Sequence, residues 1–144
     1  MYNGILHLHN LLRWIILILL IVNVVSLFGG KKNAKLSLYL MISAHLMLVI
    51  GLYQYIAGDL GLATIKVAGM GQTMKNSVAR YWAVEHITGM LIAIILITLG
   101  HGRVKRDTNT KRAKLYFTLA LLLILVMMPW PFREGIARSW FPGM

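Results

Sequence analysis

Cysteine is absent from this chain. That excludes a disulfide framework, a thiolate metal site, a cysteine nucleophile and the covalent heme attachment of c-type cytochromes. It leaves the redox compartment open. Acidic residues are scarce: 4 Asp+Glu stand against 15 Lys+Arg, for a formal charge of +11. So few carboxylates form no pair at a shared site for general acid–base work. There is no phosphate-binding glycine motif and no nucleophile–base set. Charged residues make up only 13%, where soluble domains carry about a quarter. A Gly/Ser linker and an internal repeat are also lacking, so residues 1–144 read as one domain.

What the chain has is apolar sequence. It is 58% hydrophobic with a mean hydropathy of +0.71. A fold this small cannot bury that much apolar surface within itself, so part of its solvent must be lipid. Four apolar runs, at about 5–28, 36–57, 80–100 and 115–130, each approach the roughly 20 residues that cross a bilayer. Backbone groups in hydrocarbon must be satisfied within the segment, so each run is helical. The fold class expected is all-α and integral to the membrane: an antiparallel, up-down bundle of four transmembrane helices. The opening Met1-Tyr2-Asn3-Gly4 has no basic region and no small-residue cleavage site comes after it, so the first run reads as a retained helix rather than a signal peptide.

The connections sort the charges. The glycines of Phe28-Gly29-Gly30-Lys31 suit a helix C-cap, and residues 101–114 are polar and basic. The stretch 58–79 is dotted with glycine and reads as a surface segment, with Asn76 or Ser77 as N-cap of the third helix. Lys31, Lys32, Lys35, Arg103, Lys105, Arg106, Lys111, Arg112 and Lys114 share one side, and only Lys66, Lys75, Arg80, Arg133 and Arg138 the other. The richer side is expected to be cytoplasmic, with both termini outside. Bases clustered at span ends are a topology signal and do not imply nucleic acid. Tyr53, Tyr55, Tyr81, Trp82 and Trp130 would form the outer aromatic belt. The tail with Phe132, Ile136, Trp140 and Phe141 among Arg133 and Arg138 suits the interface.

Ionisable residues inside a span demand a reason. Here they are His9 and Arg13 in the first helix, His45 in the second, and Glu85 and His86 in the third. Helical spacing puts His9, Arg13, Ile16, Leu20, Asn23 and Leu27 on one inward stripe. Trp82, His86, Gly89, Ala93, Leu96 and Gly100 form another, and Met41, His45, Leu48, Leu52 and Tyr55 a third. His86 lies roughly 6 Å inside Trp82, and His45 about 12 Å inside Tyr53. The first and third helices of an up-down bundle are diagonal neighbours. A flat macrocycle held between two imidazoles on facing helices is therefore the chemistry considered, with His9 and His86 as first choice and His45 with His86 as second. Gly89 and Ala93 would leave room for the ring, and Arg13 would pair a propionate.

Simpler roles compete. A span histidine can serve only as an interhelical hydrogen-bond partner, and Gly89, Ala93 and Gly100 can serve only close packing. Arg13 with Glu85 would make a structural ion pair. His7 reads as interfacial, His101 as a helix-end residue near the C-terminal dipole, and Met127 and Met128 as core filler rather than axial ligands. A transition-metal site of His9, His45, His86 and Glu85 suits imidazole and carboxylate chemistry, although the histidines differ in depth. A heme-free accessory subunit or assembly factor of a larger membrane complex is a further alternative.

The segments His7-Leu8-His9-Asn10-Leu11-Leu12-Arg13-Trp14, Arg80-Tyr81-Trp82-Ala83-Val84-Glu85-His86 and Met128-Pro129-Trp130-Pro131-Phe132 resemble those of small bacterial four-helix membrane proteins of cytochrome-b-like type. The resemblance covers nearly the whole chain. It implies a membrane electron carrier of the bacterial inner membrane with noncovalent heme b, and it puts His9, His45 and His86 at matching positions without saying which two ligate. A quinone or quinol, a redox partner protein and a homo-oligomer are compatible with it. An electron carrier or subunit is expected rather than a stand-alone enzyme.

Overall fold

A computed structural model describes residues 2–106, 109–138 and 140, and the described residues contain no strand. The helices are α1 (Tyr2–Phe28), α2 (Ala34–Ala57), α3 (Leu62–Lys75), α4 (Ser77–Arg106) and α5 (Lys111–Met127). Three of them, α1, α2 and α4, are long and apolar enough to cross a membrane. Their outward faces carry Ile18, Val25, Ile42, Val49 and Ile95, all well exposed, which is an apolar surface that water would not support.

Local chemistry explains the helix ends. Gly30 at φ 80° closes α1: Gly30 N–H donates to the Leu27 carbonyl and Lys31 N–H to the Ser26 carbonyl, the double bond of a Schellman stop. The Asn33 side chain accepts from Leu36 N–H and starts α2. Asn76, one of the two expected N-caps, accepts from Val78 and Ala79 N–H, so α4 begins at Ser77, ahead of the apolar run that starts near 80. It also runs on to Arg106 rather than stopping near 100, because Gly100 is a packing residue there and not a stop. At 30 residues α4 measures about 45 Å, which carries its basic end past a hydrocarbon core of about 30 Å. α5 ends at Met127, short of the expected 130, because Met128 precedes Pro129 and is forced extended (ψ 136°). With 17 residues, α5 is well short of the 24 to 30 residues of the three long apolar helices, so the structure shows three of the four expected spans. The stretch expected to be a surface segment contains α3, broken at Gly69 (φ 82°).

α1 packs on α2 and α5, and α4 packs on the same two, so α1 and α4 face each other across the cluster. Around Leu20, Leu40, Ile97 and Phe117, all fully buried, the helices close tightly. Two polar ties brace that end: Asn23 Nδ2 donates to the Leu19 and Leu36 carbonyls, and Ser37 Oγ lies 2.6 Å from His101 Nδ1. His101 is therefore buried between α2 and α4, not a helix-end residue. At the opposite end the helices part. There Trp14, Trp130 and Trp140 cluster, with centroids 5.8 to 6.1 Å apart, and the chain after α5 folds back over α1 and α4.

Candidate functional site

The helices part around a cavity of about 370 Å³, within the usual range of roughly 300–1,000 Å³ for ligand sites. His9, Asn10 and Arg13 enter it from α1, Gly51, Gln54 and Tyr55 from α2, and His86 and Ala93 from α4, with Arg138 from the tail. Most of the remaining wall is Leu, Ile and Met. No carboxylate lines it among the described residues.

Each helix presents its site residue for a local reason. On α1 the expected stripe holds: below His9 and Arg13, the residues Ile16, Leu20, Asn23 and Leu27 are all buried. On α2 the expected stripe holds in part: Leu48, Leu52 and Tyr55 line the cavity, but His45 does not. Ser37, Leu40 and Ala44 are the helix's buried residues, and Gly51 and Tyr55 continue the stripe into the cavity. Small residues recur seven apart on this face (Ser37, Ala44, Gly51), and the Gly51 Cα faces His9 on α1: a Cβ there would stand 3.6 Å from His9 Nε2. The stripe is turned by one residue from His45. His45 is exposed, its Nδ1 lies 2.8 Å from the Met41 carbonyl, and it does not line the cavity. Its pairing with His86 is therefore withdrawn.

His86 comes directly after a π-helical turn, Tyr81–Glu85, inside α4. Such turns recur at functional sites, and the extra residue rotates the helix face beyond it. Here it brings Tyr81 and His86 to one acceptor, the Met127 carbonyl. That same residue settles the role of Gly89: a Cβ on Gly89 would meet Met127 Cγ at 2.5 Å. The space above Gly89 is filled by Met127 and is not open to a ring. Gly89 and Gly100, which abuts Phe117 at 2.7 Å by the same measure, are close-packing positions. Ala93 is fully buried and does line the cavity. Met128 is a core residue that reaches the cavity wall.

The cations are braced from outside the helices that carry them. Arg13, 8% exposed, donates from Nη2 to the Trp140 carbonyl at 3.2 Å, and Trp14 Nε1 donates to the same oxygen. Arg138 sits over the Trp82 ring at 4.9 Å. Glu85 pairs with Arg80 at 2.7 Å, so the expected ion pair of Glu85 with Arg13 does not form. Arg80, five residues back across the π turn, is the nearer cation. Tyr55 and Tyr81 are not belt residues either. Tyr55 Oη donates to the Ala83 carbonyl at 2.8 Å, and Tyr81, 2% exposed, is bonded inward. His7 is exposed at the rim of the cavity.

Arg138, Gln54 and Gly51 were not among the residues expected at the site. The seven-residue spacing of Ser37, Ala44 and Gly51 was a readable signal for the α2 face. Nothing local marks Arg138, which arrives by the fold-back of the tail. Gln54 brings a buried Nε2, without a hydrogen-bond partner among the described residues, to the cavity wall.

Chemically, the site offers two imidazoles on opposed helices that line one cavity, with two guanidinium groups and apolar walls. Cations without a carboxylate suit an anionic edge on an otherwise apolar ligand. No group of three His, Cys, Asp or Glu able to hold a metal ion occurs among the described residues, so a bare-metal site of His9, His45, His86 and Glu85 has no ligand set. Comparison with protein-family models, curated proteins and solved structures finds no match.

Proposed function

We propose that this chain is a four-transmembrane-helix, heme-b-binding electron carrier of a bacterial inner membrane, with His9 and His86 as axial ligands. The observation that carries the proposal is the convergence of these two histidines, from helices that face each other, on one cavity that also holds Arg13 and Arg138. The residues fit the group on three counts: paired imidazoles, cations for two propionates, and an apolar wall. A macrocycle brings its own four nitrogens, so two protein ligands suffice where a bare ion would need more. When bound, heme supplies one-electron redox chemistry.

The chain's own residues do the rest. His9 and His86 would hold the group from its two sides, and Arg13 and Arg138 would neutralise its carboxylates. Through Trp140 and Trp82 the same two arginines anchor the tail over the site. The leucine, isoleucine and methionine wall excludes water and sets a low local dielectric, which together with the ligands tunes the potential. α5 completes the four spans, because the extended Met128-Pro129 segment adds length beyond its 17 residues. The basic loops face the cytoplasm and the cavity faces out, so a C-terminal reporter that folds only in the cytoplasm stays dark.

Heme titration into purified, heme-free protein tests the reading. One heme per chain is expected, lost in His9→Ala and in His86→Ala and retained in His45→Ala. Absence of saturable binding in the unaltered chain refutes it. A second reading, a heme-free accessory subunit of a larger membrane complex, draws on the exposed face of α2. That face puts His45 among Ile42, Leu46 and Val49, where lipid offers an imidazole no partner.

A further inference from the structure

The surroundings of His86 Nδ1 hold more information than ligation requires. Three groups meet there. Tyr81 Oη donates to the Met127 carbonyl, His86 Nδ1 lies 3.2 Å from the same carbonyl oxygen, and Tyr81 Oη lies 3.3 Å from His86 Nδ1. The Tyr81 ring is fixed by burial and by Arg133, whose Cζ stands 5.1 Å over it. Arg133 in turn donates from Nη1 to the Val126 and Met128 carbonyls on either side of Met127. Met127 itself is keyed into Gly89. Tyr81 and Met127 are thus each held from a second direction.

For a neutral imidazole the proton count has one solution. A carbonyl oxygen only accepts, and a phenol has one proton to give. That proton goes to Met127. An Nδ1 lone pair would then face both the carbonyl and the phenol oxygen with nothing between, so Nδ1 carries a proton, which it shares between the two oxygens. Neutral imidazole has one N–H, so Nε2 is left with its lone pair, and His86 lines the cavity. An ordinary α-helix would set residues five apart about 140° around the axis. The π turn, in which His86 N–H bonds the Tyr81 carbonyl, closes that gap and lets Tyr81 and His86 use one acceptor.

We propose that Tyr81 is a positioning residue: with the Met127 carbonyl it locks His86 as the Nδ1–H tautomer, and by competing for that carbonyl it limits how strongly His86 donates through Nε2. The tautomer stands on the protein alone. The consequence for redox potential rests on the heme reading above. A ligand imidazole with a stronger bond at its distal N–H is more basic, and a more basic ligand favours oxidised iron. Tyr81 therefore holds the potential up.

Tyr81→Phe removes the competitor and keeps the ring and its packing. Two readouts decide the matter. In heme-free protein with labelled histidine, ¹⁵N and ¹H spectra should show His86 protonated at Nδ1 and bare at Nε2, and in Tyr81→Phe the Nδ1–H proton should move downfield as its bond to Met127 shortens. Protonation at Nε2, or an unmoved proton, overturns the proposal whether or not heme binds. In the heme-loaded protein, Tyr81→Phe should keep its heme content and low-spin spectrum while the midpoint potential falls. An unchanged or raised potential with an intact spectrum overturns the tuning role alone. If the unaltered chain takes up no heme, the function reading fails while the tautomer assignment is still decided by the first readout.

Discussion

Gly51 gives the most graded test of the cavity. It lies on α2 opposite His9, and a Cβ added there would stand 3.6 Å from Nε2 and 3.9 Å from Cδ2 of that ring. Those are ordinary contacts. Gly51→Ala should leave ligand binding within about twofold and gain stability from helix propensity, by up to about 1 kcal/mol. Gly51→Leu is different. Each further carbon extends the side chain by about 1.5 Å, so the branch reaches past the 3.6 Å clearance and covers His9 Nε2. The cavity itself gives the branch room, so the fold should survive: circular dichroism and thermal unfolding in detergent should match Gly51→Ala. Heme affinity should fall by more than about tenfold, equivalent to about 1.4 kcal/mol or more. Optical titration of heme into both variants reads this directly. A Gly51→Leu protein that binds heme as tightly as Gly51→Ala would show that the ligand does not occupy the space between α1 and α2.

Other substitutions probe the frame. Gly100→Ala would put a methyl 2.7 Å from the ring of fully buried Phe117; overpacking of that kind costs about 1–3 kcal/mol, seen as a lower melting temperature, whereas Gly71→Ala, with open space around it, should be neutral. Ser37→Ala strands His101 Nδ1 at the α2–α4 interface and should cost about 1–3 kcal/mol; adding His101→Leu should give less than the sum of the two losses in a double-mutant cycle. Glu85→Gln breaks a pair whose side chains are 37% and 39% exposed, and should cost no more than about 1 kcal/mol in the same melting assay.

Three of the four expected spans were legible because lipid imposes a simple requirement: about 20 apolar residues with internally satisfied backbone. The α1 stripe was legible for a related reason, since polar His9, Arg13 and Asn23 repeat at helical spacing. The rule that polar span residues face inward misled at His45. There, packing against small Ala44 and Gly51 governs the rotation of α2 and turns the imidazole out. Glu85 and Tyr81 were misplaced because a π turn changes which residues share a face, and its one extra residue leaves no mark in apolar periodicity. Arg138 reaches the cavity by tertiary fold-back, which no local pattern records. Of the two readings of Gly89, ring space and close packing, the second holds, because its missing Cβ is occupied by Met127, a partner on another helix. Apart from the π turn, these misses sit where a contact between distant segments outweighs spacing within one helix.

The central claim is that His9 and His86 jointly hold one heme at the open end of the helices. The reduced-minus-oxidised absorption spectrum of the purified protein, expressed with ample heme, tests it most directly. The account predicts sharp b-type bands of a six-coordinate, low-spin center that vanish or turn high-spin in both His9→Ala and His86→Ala. A colourless unaltered protein, or low-spin bands that survive either substitution, would contradict it.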